Sequence, residues 1–194
     1  MTGLHDEAND ATPLNADERD GLIPSHIALR SELNELERQN IIEADLWAFA
    51  RKRNPVSERF ARDLHRRMFR KVWRWAGKNR TSDKNIGVTR NLIKARIDEA
   101  IDNIQFWIDH KTFPPDEIAV RFHHALVLIH PFPNGNGRWS RLIADILAVQ
   151  LGRPRFTWGR VNLQNESETR KAYIAALKNA DNHDFTALIA FARS

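Results

Sequence analysis

Twelve consecutive residues carry most of the chemistry this chain could perform: His130-Pro131-Phe132-Pro133-Asn134-Gly135-Asn136-Gly137-Arg138-Trp139-Ser140-Arg141. Two glycines lead into a helix start, where backbone N–H groups lack intrahelical acceptors and the helix dipole favours an anion. Glycine also lets a phosphate come close to the backbone and allows a concave nest of N–H groups. Arg138 and Arg141 are three residues apart and share one face of the first turn. Two guanidinium groups beside a nest suit an oligophosphate better than a lone carboxylate. His130 just precedes the nest, and an ordinary imidazole, with a pKa of about 6.5, accepts a proton at neutral pH. Base, anion cradle and paired arginines together describe a phosphoryl- or nucleotidyl-transfer site. Each residue also has an ordinary reading. His130 could cap a helix, Asn-Gly could be a plain turn, Arg141 could pair with Asp145, and Phe132 is a core anchor in either case. Those readings do not account for the coincidence.

The elements that must hold this loop read as helices. From about Ile27 to Arg51 there is no Gly or Pro, and Ser25 could cap that stretch. Asn54-Pro55 breaks it, and Ser57 caps a second helix with Phe60, Leu64, Met68, Val72 and Trp75 on one face, ended by Ala76-Gly77. Lys78–Val88 lacks a helical period and is a loop or short hairpin. A third helix runs from about Asn91 to Asp109, with Ile93, Ile97, Ile101, Ile104 and Ile108 at helical spacing. Pro114-Pro115 restarts the chain into a fourth helix, Asp116 to Ile129, apolar all round at its end and therefore central. Arg138 to about Leu151 forms the fifth, stopped by Gly152 and Pro154, and shorter helices fit Glu166–Asn179 and Asp184–Arg193. Strand signals and solenoid repeats are nearly absent, so the fold class is all-α around a central helix–loop–helix at 116–151.

Composition narrows the function classes. The chain has 194 residues, 42% of them hydrophobic, enough for one cored domain with a tail. It has no cysteine, which excludes disulfides, thiolate nucleophiles and Cys-ligated zinc. Apolar runs such as Ala125–Ile129 are far short of a bilayer span, and the start lacks a signal core. A soluble cytoplasmic protein with no membrane partner is the expectation. Residues 1–24 carry six acids and one base, whereas residues 51–80 carry twelve bases and two acids, within a total of +5. Arg59, Arg62, Arg66, Arg70 and Arg74 make one stripe at helical spacing. It reads as a solvated face rather than a nucleic-acid dock, and no helix-turn-helix spacing supports DNA binding.

The twelve-residue segment resembles the signature of the Fic (filamentation induced by cAMP) family, His-x-Phe-x-(Asp/Glu)-Gly-Asn-Gly-Arg-x-x-Arg. Seven of the eight fixed positions match, with Asn134 where the family has a carboxylate. Leu64-His65, Met68-Phe69, Trp73 and Trp75-Ala76-Gly77-Lys78 resemble the region before the family's flap, and the ELNELERQNI stretch is similar to the Fic-type group labelled mobile mystery protein B. The resemblance covers about residues 25–190 and implies a Fic-like helical bundle with a small β-hairpin flap at Lys78–Val88. Three segments follow: an acidic irregular tail over 1–24, an N-terminal helix over 25–56 and a core domain over 57–194. It also implies a protein adenylyltransferase. His130 would be the general base for a target Ser, Thr or Tyr hydroxyl. ATP would be the substrate. Gly135, Asn136 and Gly137 would cradle its α- and β-phosphates, Arg138 would hold the β/γ end and Arg141 the γ-phosphate. Phe132 would be structural. Mg²⁺, or Mn²⁺, would sit at position 134, weakened because Asn134 lacks the carboxylate charge.

The resemblance further implies a hydroxyl-bearing target protein, which the flap would pair with, and either an antitoxin chain or self-inhibition. The family's inhibitory helix carries (Ser/Thr)-x-x-x-Glu-(Gly/Asn), and Ser31 to Glu35 fits all but its last position, so Glu35 or Glu32 would engage Arg141 and self-modification would be possible on release. Two rival readings stay open: another donor (UTP, GTP, a phosphocholine donor or plain phosphate transfer), and a nucleotide-binding interaction module with little catalysis. His123, His124 and His130 lack a metal-binding spacing and read as buried or capping histidines.

Overall fold

The computed structural model describes residues 15–24, 27, 29–159 and 166–194. The expected Ser25 cap and the first fourteen residues of the acidic tail lie outside these. The described chain is helical, in the order α1 (Ala16–Arg19), α2 (Arg30–Phe49), α3 (Glu58–Phe69), a 3₁₀ turn (Arg90–Leu92), α4 (Ile93–His110), α5 (Pro115–Ile129), α6 (Asn136–Gln150), α7 (Glu166–Asp181) and α8 (Thr186–Arg193). No helix is long and apolar enough to cross a membrane among the described residues.

The central pair is α5 and α6, with α4 and α8 against α5, α3 and α2 against α6, and α7 on α8. α5 begins with Pro115 in its first turn, where a missing N–H costs nothing, and buries Ile118, Val120, Phe122, Leu126 and Ile129. α6 buries Trp139, Leu142, Ile143, Ile146 and Leu147 in return. Each such Leu, Ile or Phe contributes about 1.5–3 kcal/mol by leaving water. The Trp139 indole donates to the Ala61 carbonyl at 2.8 Å and so ties the start of α6 to α3.

Three sequence expectations need correction. First, the stretch just before Gly21 is not wholly irregular: α1 carries a capping box in which Asn15 and Glu18 exchange side-chain and backbone bonds. Second, α3 ends at Phe69 instead of reaching Trp75. The chain turns there because Ile23 donates to the Val72 carbonyl at 2.8 Å and Arg74 to the Gly21 carbonyl at 2.8 Å, forming an antiparallel bridge between Leu22 and Trp73. Val72 and Trp73 are buried as a helical pattern would require, but turns put them there. Third, Lys78–Val88 contains no strand. Its backbone makes no ladder between its two arms and bonds instead to the end of α5 and the turn after it: Arg80 donates to the Pro131 carbonyl at 2.9 Å and Val88 to the Ile129 carbonyl at 3.4 Å.

Candidate active site

α5 ends at His130, whose backbone is left-handed at φ 51°, ψ 59°. That conformation costs a non-glycine residue about 1 kcal/mol and persists only where the surroundings hold it. The following turn is closed by Asn136, buried at 2% exposure, whose side chain accepts from the Phe132 N–H at 3.0 Å and donates to the Phe132 carbonyl at 2.8 Å. Gly135 is the residue before α6, at φ 80°, and a Cβ on it would lie 2.5 Å from the Phe69 ring. Both the dihedral and the space demand glycine. The N–H groups of the first turn of α6, beginning at Asn136, lack carbonyls four residues back, and they follow the His130 turn directly. The structure therefore brings together His130, Phe132, Gly135, Asn136, Gly137, Arg138 and Arg141 around one rigid turn.

A histidine that the sequence reading did not single out for the site supports this turn from below. His65 is fully buried and stacks on Phe132 with ring centres 3.7 Å apart. Its Nδ1 accepts from the Gly77 N–H at 3.0 Å, so its proton must sit on Nε2, which donates to the Asn134 carbonyl at 3.0 Å. Burial, helped by the Arg138 charge and opposed by the Asn134 bond, pushes its pKa down to about 3, so it stays neutral.

His130 is 6% exposed. Burial first, and then the charges of Arg80 and Lys84, push its pKa down to about 4, against a backbone hydrogen bond at Val127. It is thus a neutral imidazole over the whole neutral range, able to take a proton but a weaker base than a free one.

The arginines are arranged differently from expectation. Arg138 donates to the Glu37 carboxylate on α2 at 2.6 Å, and Glu37 also accepts from the Trp73 indole at 2.6 Å. Glu37 is 6% exposed. The acids named from the motif pattern are elsewhere: Glu35 is exposed and bonded to Arg38 at 2.8 Å and Gln39 at 3.1 Å, and Glu32 accepts from the Leu29 N–H at 3.2 Å. A helical period fixes which face of α2 is buried, and Glu37 lies on it with Leu33, Asn40 and Ala44. Arg141 donates to the Gly137 carbonyl at 3.1 Å and lies 5.5 Å from the Tyr173 ring centre. Asp145, the alternative partner considered for it, takes the Trp158 indole at 2.9 Å and Arg155 at 3.3 Å.

The position expected to hold Mg²⁺ does not fit a protein-built metal site. The Asn134 amide oxygen accepts from the Gly135 N–H at 2.5 Å and faces an Arg138 nitrogen at 3.4 Å, so a donor and a cation already occupy its lone pairs. Among the described residues no cluster of three His, Cys, Asp or Glu could hold a metal. His123 and His124 point to separate partners, the Tyr173 hydroxyl at 3.0 Å and Asp181 at 2.8 Å, in keeping with their reading as structural.

The flap contributes a second residue that the sequence did not mark. Arg80 reads as one polar residue in a polar loop, yet it is 3% exposed. Its Nε donates to the His130 carbonyl at 2.7 Å, one Nη to the Ser82 carbonyl at 2.8 Å and the other to the Val88 carbonyl. The basic stripe, by contrast, is interrupted: Arg62 pairs with Glu58 and Arg66 with Asp63, each at 2.8 Å, and Arg74 lies beyond the end of α3.

The model of the Fic/DOC family matches residues 55–148. Protein adenylyltransferase fic-1 of Caenorhabditis elegans is 29% identical over 119 residues, covering 60% of this chain and 22% of that protein. Probable protein adenylyltransferase aq_aa38 of Aquifex aeolicus is 32% identical over 82 residues, covering 42% of this chain and 23% of its own length. The chain thus spans under a quarter of the length of these curated relatives. Among solved structures, BepC of Bartonella tribocorum with bound AMPPNP superposes with a TM-score of 0.69 at 16% identity, over 92% of this chain and 97% of that one. C. elegans Fic-1 (residues 134–508) gives 0.67 at 23% identity, over 90% and 51%.

Proposed function

We propose that the chain, whose residues 55–148 match the Fic/DOC family model, transfers AMP from ATP to a Ser, Thr or Tyr hydroxyl of a target protein. The observation that carries the reading is the single turn joining a neutral, buried His130 to the glycine-lined start of α6. The names of the curated relatives, protein adenylyltransferases, and the AMPPNP bound in the BepC structure support adenine nucleotide as donor.

In this mechanism the imidazole of His130 removes the proton of the target hydroxyl. The oxygen attacks the α-phosphorus in line, a new P–O bond forms, the bond to the β-phosphate oxygen breaks, and pyrophosphate leaves with its electron pair. The N–H groups at the start of α6 stabilise the charge on the phosphate oxygens, and Arg141 neutralises the far end of the triphosphate. Because the Asn134 oxygen is engaged within the turn, any divalent cation is carried by the nucleotide's own phosphates.

Self-inhibition belongs to the same proposal, through Glu37 instead of Glu35 or Glu32. Its carboxylate holds Arg138, which a phosphate would otherwise claim. The resting chain is then a weak transferase until α2 shifts. The test is incubation of the protein with α-labelled ATP, a divalent salt and a lysate, beside His130→Ala. Label on protein bands that depends on His130 is expected. Equal label in both samples, or none in either even with Glu37→Gln, removes transferase activity and leaves a nucleotide-binding module. Competition by UTP, GTP or a phosphocholine donor then decides the donor.

A further inference from the structure

We propose that Arg80 is a positioning residue for the transfer, one that clamps the flap to the backbone of His130 and so fixes the base and the flap edge as one unit. The inference rests on the adenylyl-transfer reading above and concerns a residue outside the motif.

The guanidinium is spread over the two ends of the flap and the base. It bonds the carbonyls of Ser82, Val88 and His130, while its own backbone N–H bonds the Pro131 carbonyl at 2.9 Å. Its side chain is fully buried and has one acid nearby, Asp83, at 3.4 Å. A buried cation spent on backbone carbonyls is costly unless it fixes something. Two strained or crowded features need fixing. His130 sits in the left-handed region, and its carbonyl is the group Arg80 holds. Gly87, at φ 98°, passes so close that a Cβ on it would lie 2.6 Å from the His130 Cβ and 3.1 Å from an Arg80 nitrogen. With no ladder between the flap's two arms, the planar five-donor fork replaces one.

The charges acting on His130 are Arg80 and Lys84, paired in turn with Asp83 of the flap and Glu18 of α1. Arg80→Lys keeps the charge and loses the fork, whereas Arg80→Met loses both. For Arg80→Lys, kcat is expected to fall by about 100-fold with KM for ATP unchanged, the loss typical of a reacting group displaced by about 1 Å. For Arg80→Met the His130 imidazole, followed by NMR titration, is expected to titrate at higher pH than in the native chain, and the acid limb of the rate profile should follow it. Thermal melts and the His65 titration monitor folding. Native kinetics in Arg80→Lys, or a His130 titration unmoved in folded Arg80→Met, overturns the proposal. The titration needs no turnover, so it separates failure of Arg80 from failure of the transferase reading.

Discussion

At the scale of single residues, the site depends on a few side chains whose neighbours leave them little choice. His130→Ala should lower transfer by about 100-fold or more, the usual worth of a positioned general base, without lowering the melting temperature, and label incorporation beside a melt checks both. The acid limb of the native rate profile should fall near pH 4, where burial and the Arg80 and Lys84 charges place the His130 titration, well below that of a free imidazole. Gly135→Ala puts a methyl 2.5 Å from the Phe69 ring at φ 80°. It should cost about 1–3 kcal/mol in denaturant unfolding and abolish nucleotide binding by calorimetry, because the turn must open to relieve the clash.

At the scale of elements, α2 is the piece whose position matters to the site without belonging to it. One carboxylate, Glu37, joins α2 to Trp73 in the turns after α3 and to Arg138 on α6. Glu37→Gln keeps an oxygen for the indole while removing the charge that holds Arg138. ATP affinity should rise about tenfold, equivalent to about 1.4 kcal/mol, by calorimetry or a fluorescent analogue. No change, with a lower melting temperature, would make the pair purely structural. Glu35→Gln, on the exposed face of the same helix, should leave affinity unchanged. α1 acts on the flap in a related way: Glu18 pairs with Lys84 and lies 3.5 Å from the Ser82 hydroxyl.

At the scale of the whole molecule, three buried histidines set the response to acid. His65 is held to about 3, His130 to about 4 and His123 well below its ordinary value, in each case chiefly by burial. Their folded pKa values lie below the unfolded value near 6.5, so the unfolded chain binds more protons between them. Stability is therefore fully present above about pH 6.5 and is lost as pH falls from there toward 4 and 3, by up to about 1.4 kcal/mol per pH unit for each histidine. Melting temperatures across that window should drop steeply, and His123→Gln should flatten the slope if the protein folds. A flat profile would mean that these imidazoles are hydrated.

Most of the local structure around the candidate site was legible in the sequence alone. Helical periods, Ser57, the Pro114-Pro115 start and the glycines after His130 are signals read within a few residues of where they act, and they placed α3 to α8 and the central loop. The sequence could not locate the end of α3, because Val72 and Trp73 continue an apolar period that turns satisfy equally well once residues 21–23 pair beside them. Nor could it choose Glu37 over Glu35, or distinguish Arg80 from its exposed neighbours. Those choices depend on partners 101 and 50 positions away in the chain. Which carboxylate meets which guanidinium, and which cation is buried, is decided by helix packing, because a periodic pattern can show which face of a helix is apolar but not which side chain of another element will meet it.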